Sequence, residues 1–164
     1  MSFLVAFSVH AQHTLSIDAV LDDTTHTLQI HQSIVYQNTS KDTLNELYLT
    51  NWPNSFSSKT TPLAQHFAEN FNSSFHFELD ENRGRSIIQK ITTKDKTPLL
   101  WERGSQLDII RVPLKEKLLP GGSTTLVLDY SVKLPDDKFT RYGVSKFGEY
   151  KLRYWFIAPG VYDG

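Results

Sequence analysis

The sequence predicts an all-β fold: an antiparallel β-sandwich of about eight or nine strands with one short helix. Three observations predict it. Apolar residues recur at every second position through most of the chain, the spacing of half-buried strands. Short polar turns separate these runs, without the alternating strands and long helices of a parallel sheet. Aromatic residues make up 12% of the 164, with ten Phe and seven Tyr, a mix that suits pleated surfaces.

A chain of this length fits one domain and buries roughly 70% of the surface of its unfolded form. With 39% hydrophobic and 21% charged residues, a packed core is expected. The net charge of −1 provides no basic field to neutralise phosphates, which argues against nucleic acid as a partner. Cysteine is absent, so disulfides, thiolate metal sites and cysteine nucleophiles are excluded together.

The elements follow in order. Phe3-Leu4-Val5-Ala6-Phe7 is apolar, and Val9-His10-Ala11 places small or modest residues before a cut after Ala11. Residues 1–11 therefore read as the remnant of a secretory signal peptide, and residues 12–164 as an exported domain. The other reading is a first core strand, disfavoured because alternation begins only at His13. No stretch is long enough for a membrane span. Leu15, Ile17 and Ala19 alternate with Thr14, Ser16 and Asp18, and Leu21-Asp22-Asp23-Thr24 reads as a turn. A long strand follows, with Leu28, Ile30, Ile34 and Tyr36 on one face and Thr27, Gln29, His31, Ser33 and Val35 on the other. Residues 44–51 form a third strand anchored by Leu47 and Leu49.

Thr61-Pro62 supplies a helix cap and a proline at the first helical position. Leu63, Phe67 and Phe71 then recur at four-residue spacing, predicting a helix of two to three turns. Strands are expected at Phe75-His76-Phe77, at residues 87–92 and at 107–112. Pro120-Gly121-Gly122 is a turn, and Leu126, Leu128, Tyr130, Val132 and Leu134 alternate cleanly behind it. Residues 150–157 are expected as the final strand.

Candidate chemistry is sparse. None of the six His residues pairs at i, i+4, and no His-Glu-x-x-His occurs. His26 and His31 are expected on opposite faces of one strand. Glu78-Leu79-Asp80-Glu81 would suit calcium or a general acid/base pair, but Asn82-Arg83-Gly84-Arg85 beside it favours a charged hairpin turn. Asn38-Thr39-Ser40 and Asn72-Ser73-Ser74 match the glycosylation pattern. Tyr154-Trp155-Phe156 stands out, because three consecutive large rings are hard to bury on one sheet face. One ring is expected to meet a second surface, the alternative being a strand buried on both faces. The chain stopping so soon after this segment reads as a cut.

His13-Thr14-Leu15-Ser16-Ile17-Asp18-Ala19-Val20-Leu21-Asp22, Thr27-Leu28-Gln29-Ile30, Ile34-Val35-Tyr36-Gln37-Asn38-Thr39-Ser40 and Leu44-Asn45-Glu46-Leu47-Tyr48-Leu49-Thr50-Asn51 come in an order with a precedent. Together with Tyr154-Trp155-Phe156-Ile157-Ala158-Pro159-Gly160-Val161-Tyr162-Asp163, the series resembles the N-terminal domain of aminopeptidase N-like zinc metallopeptidases, the gluzincins, of bacterial type. The resemblance covers about residues 13 to 163. It implies a saddle-like β-domain that packs on the protein's own catalytic domain and shapes a cleft for a peptide substrate. It implies no cofactor in this chain, the zinc being held by a catalytic domain beyond Gly164. Many members place a Gln or Glu on the last segment to bind the substrate amine; the matching position here is Tyr154, whose phenol lacks that charge. The expected substrate-binding residues are Tyr154, Trp155 and Tyr162, with no catalytic or metal residue. The rival expectation is a free-standing sandwich binding a glycan or protein, with Trp52, Trp101 and Trp155 as stacking surfaces.

Overall fold

An alternating strand has one oily face to hide, and this chain hides most such faces against each other. The computed structural model describes residues 13–104 and 106–160. The expected leader, residues 1–11, and Tyr162 lie outside the described residues. The strands are β1 (His13–Asp22), β2 (Thr27–Gln37), β3 (Leu44–Thr50), β4 (Arg85–Thr93), β5 (Glu102–Arg103), β6 (Ile109–Leu118), β7 (Ser123–Lys133), β8 (Gly143–Val144), β9 (Tyr150–Lys151) and β10 (Ala158–Pro159), with helix α1 (Pro62–Glu69) between β3 and β4. One sheet has the order β1-β2-β7-β4 and the other β10-β3-β6-β5, while β8 and β9 form a small separate pair. All strand pairings are antiparallel.

The core lies between the two four-stranded sheets. Leu28, Ile30 and Ile34 of β2 join Leu126, Leu128, Tyr130 and Val132 of β7 in one buried cluster. Leu47 and Leu49 of β3 and Ile110 and Val112 of β6 complete it. Fully burying one such side chain stabilises the fold by about 1.5–3 kcal/mol relative to leaving it in water. Strand β1 is different. Its register places Leu15, Ile17, Ala19 and Leu21 on the same face as the core row of β2. Leu15 and Leu21 are nonetheless 36% and 38% exposed. The apolar face of the first sheet therefore runs on past the edge of the core.

Several expectations need correction. Strand β1 continues through Asp22, whose carboxylate accepts from the Thr24 and Thr25 amides and the Thr25 hydroxyl, so the turn comes two residues later. His26 lies in that turn at φ 52°, not on a strand face with His31. The Thr61 hydroxyl caps α1 by accepting from the Ala64 amide at 3.3 Å, but Phe71 lies beyond the helix. The Asn72 amide reaches the Phe67 carbonyl and the Phe71 amide the Ala68 carbonyl, the paired bonds of a Schellman ending. That ending puts Phe71 at φ 57° with its ring 98% exposed. The amide of Asn38 donates to the carbonyls of Asp42 and Leu118, so its buried side chain is committed to the turn after β2 and is no sugar acceptor.

Residues 75–77 form no strand. The buried Arg83 guanidinium takes the carbonyls of Phe75, His76 and Glu78 at 3.1, 3.3 and 3.1 Å, and Asp80 at 2.9 Å. Carbonyls converging on one cation curl the backbone and leave no ladder to pair. The expected charged hairpin is instead a 3-10 turn at Asp80–Asn82. Residues 150–157 also fail to form one strand. Only β9 pairs there, and the chain then runs irregularly to β10.

The acidic group of this loop is structural. A hydrogen bond from Asn82 at 2.7 Å, and then the Lys138 ammonium, hold the Glu78 carboxyl down to about 2. Because the folded value lies below the unfolded one, this stabilisation is complete above the ordinary glutamate range and is lost as pH falls toward 2. Glu78→Gln should flatten the acid limb of stability below roughly pH 5, read from urea midpoints at stepped pH. Parallel curves for variant and parent would remove Glu78 from the acid response.

Candidate functional site

The segment from β9 to β10 carries the rings singled out from the sequence, and its course is set from inside the core. Gln32 is the one amide in the buried row of β2, and Tyr130 stands in the buried row of β7. The Tyr130 hydroxyl donates to Gln32 Oε1 at 2.5 Å, Gln32 Nε2 donates to the Ile157 carbonyl at 2.6 Å, and the Ile157 amide donates to the Tyr130 hydroxyl at 3.1 Å. The three groups close a ring of hydrogen bonds in an apolar interior, where each unmade bond would be costly. Burial pushes the Tyr130 phenol above its ordinary range, so it stays a neutral donor. Beyond Ile157, Ala158 and Pro159 pair with Thr50 and Leu49, and the Gly160 amide donates to the Tyr48 carbonyl at 2.7 Å. A Cβ at Gly160 would sit 2.9 Å from that carbonyl oxygen, which fits only glycine at so close an approach.

On the outer side of this anchor the rings diverge. Tyr154 adopts φ 55° and is 58% exposed, its ring edge-on to Trp52 with centroids 6.5 Å apart. Trp52 opens a 3-10 turn after β3 and braces edge-on against the buried Phe56 at 5.8 Å. The pair Trp52 and Tyr154 is a wall shared by two clefts, each of about 280 Å³. One cleft is apolar and completed by Thr50, Phe156 and Ala158. The other is completed by Thr140, Arg141, Tyr142 and Arg153, whose side chains bring two guanidiniums and two hydroxyls to a mixed lining.

Of the residues expected to bind substrate, Tyr154 lines both clefts, Trp155 lines neither, and Tyr162 is outside the described residues. Trp155 is half-buried against the core, edge-on to Phe156. Trp52, Phe156, Arg141 and Arg153 were not singled out for the peptide reading. The aromatic pair is visible in the sequence; the arginines come together only through the fold.

The three tryptophans do not build one stacking platform. Trp101 lies beneath the Arg103 guanidinium, and among the described residues no ring contact joins it to Trp52 or Trp155. Among the described residues no group of three or more His, Asp or Glu is placed to hold a metal ion. His31 pairs with Asp129 at 2.6 Å, and Lys90 holds the other oxygen at 2.9 Å. His26 meets the Tyr150 hydroxyl at 2.8 Å, and His13 stacks on Tyr36.

No model of a known protein family matches the chain, and no curated protein matches it.

Substitutions at two positions probe this construction. Tyr130→Phe leaves Gln32 Oε1 and the Ile157 amide unpartnered and should cost about 1–3 kcal/mol in urea unfolding. Amide exchange at Ile157 should rise more than at Ile110 in the centre of the second sheet; an equal rise would refute a local anchor. Tyr154→Gly should be more stable than Tyr154→Ala by about 1 kcal/mol, since only glycine adopts a left-handed backbone without strain. Identical unfolding midpoints for these two variants would count against the strain at that position.

Proposed function

We propose that this chain is a non-catalytic N-terminal accessory domain of an exported, aminopeptidase-like zinc metallopeptidase. It packs on the catalytic domain and contributes one wall of the peptide cleft. The observation that carries the reading is the bare aromatic flank at Trp52, Tyr154 and Phe156, held from within by the ring through Ile157. A self-contained sandwich has no need to fix an apolar wall rigidly and leave it in water. The uncovered apolar row on β1 supports the same reading, as does the order of the family-like segments along the sequence.

In this reading the zinc is held by the catalytic domain, where a set of three protein ligands would bind it. The role of this chain is to bind and orient. A wall of rigid rings limits the positions a peptide side chain takes, and positioning of this kind lowers the entropic part of a barrier.

Reading the coding sequence beyond Gly164 is the first test. A His-Glu-x-x-His motif is expected within the length of one catalytic domain, and its absence would overturn the reading. The isolated chain should bind an apolar dye and self-associate with rising concentration in sedimentation, and Tyr154→Ser should weaken both. A dye-silent monomer would favour the free-standing module instead.

A further inference from the structure

The arginine-lined cleft beside Tyr154 has charges that no described carboxylate answers. Arg141 has no hydrogen-bond or ion-pair partner among the described residues. Arg153 has no carboxylate partner among the described residues; its guanidinium lies over the Tyr154 ring, 5.1 Å from the centroid, and donates to the Tyr154 hydroxyl at 3.4 Å. Near Arg141 in sequence, Asp136 is paired with Lys138 and Asp137 with Lys151, and Glu149, four residues before Arg153, forms no ion pair with either arginine. The hydroxyls of Thr140 and Tyr142, two further lining residues, are buried without a hydrogen-bond partner. Two unpaired guanidiniums beside an aromatic wall, in a chain of net charge −1, form a local site for an anion rather than part of a general basic field.

We propose that this cleft binds the carboxylate of an acidic residue in a peptide, and that the adjoining apolar cleft takes the side chain of a neighbouring large apolar residue. The shared Trp52–Tyr154 wall sets the two subsites side by side, so the ligand must carry charge and oil close together. A sugar would require hydrogen-bond partners along its whole length. The apolar cleft is walled mainly by rings and methyl groups, and its Thr50 hydroxyl already donates to the Ala158 carbonyl at 3.2 Å. A peptide meets both demands with two adjacent residues. Arg153 is prepositioned by its ring contact, and Arg141 supplies the second guanidinium. The choice of a peptide rests in part on the metallopeptidase reading and specifies its substrate class: peptides with an acidic residue beside a large apolar one.

The test uses the full chain and short peptides blocked at both ends, one containing Glu-Phe and its counterpart containing Gln-Phe, followed by tryptophan fluorescence and calorimetry at low salt. The Glu peptide should bind about 10-fold or more tightly than the Gln peptide, the scale of one charge-assisted contact. Arg141→Gln with Arg153→Gln should abolish that preference while leaving weak binding of both peptides. Both arginines are exposed, and an unchanged circular dichroism spectrum would verify that the variant is folded. A Gln peptide with a free C-terminus separates the two sources of carboxylate; its binding as tightly as the blocked Glu peptide would overturn the side-chain assignment. Equal affinity for the two blocked peptides, or a preference that survives the double variant, would overturn the site. Tighter binding of a uronic-acid oligosaccharide, or displacement of the Glu peptide by millimolar inorganic phosphate, would overturn the peptide assignment. The two proposals fail separately. A missing downstream zinc motif removes the peptidase reading and leaves the binding measurement standing, whereas indifferent peptides remove this site and leave the domain's proposed place in a peptidase intact.

Discussion

Three groups, one amide side chain, one phenol and one peptide unit, meet in the middle of an otherwise oily interior, and the outer surface of the protein depends on their meeting. Gln32, Tyr130 and Ile157 each give and take within a closed circuit. In a medium of low dielectric such a circuit is worth having only complete, because a broken member leaves others stranded. The cost of disruption makes the circuit a firm floor. The course of residues 154–159 follows from it, since the chain must deliver Ile157 to the core and then pair with β3. What stands above that floor, the Trp52–Tyr154 wall and the clefts on either side, has its place because the floor does not give.

Much of the fold was legible from period alone. β7 alternates without interruption and β2 is broken only at Gln32, so their apolar buried positions could be named from period, and Thr61-Pro62 marked the start of the helix correctly. What was not legible depended on partners distant in sequence or on backbone states without a residue signature. Phe75-His76-Phe77 has the composition of a strand, and nothing local reveals that Arg83 will claim its carbonyls. Tyr154 occupies a left-handed backbone conformation that a glycine would have announced. At the site, the crowding of three rings drew attention to the segment, but Trp155 was equivalent to Tyr154 in sequence, and in the fold Tyr154 is exposed while Trp155 is half-buried against the core. Arg141 sits in another loop, and no pattern in the sequence says that its charge will go unpaired.

The two sheets are unequal, which accounts for the uncovered row on β1. Both contain four strands, but the outer members of the second sheet, β10 and β5, are two residues long. In effect a sheet two strands wide faces one four strands wide. Cover is complete over β2 and β7, where the buried rows are continuous, and runs out at the edge where β1 hangs on β2 alone. An edge strand with an apolar stripe and free backbone groups is a liability that proteins usually blunt or conceal. Here Asp18 and Asp22 interrupt the strand but do not conceal it.

Arg83 gives the molecule an unusual independence from its chemical surroundings. A small β-domain exposed to oxidising conditions often holds its long loops with sulfur bridges, which then fail under reduction. Here a guanidinium gathers the same kind of loop, by charge-assisted bonds that neither oxidants nor thiols can touch. The loop between α1 and β4 therefore keeps its shape whether the protein meets a reducing or an oxidising compartment, and a chain without cysteine has nothing to mispair along the way.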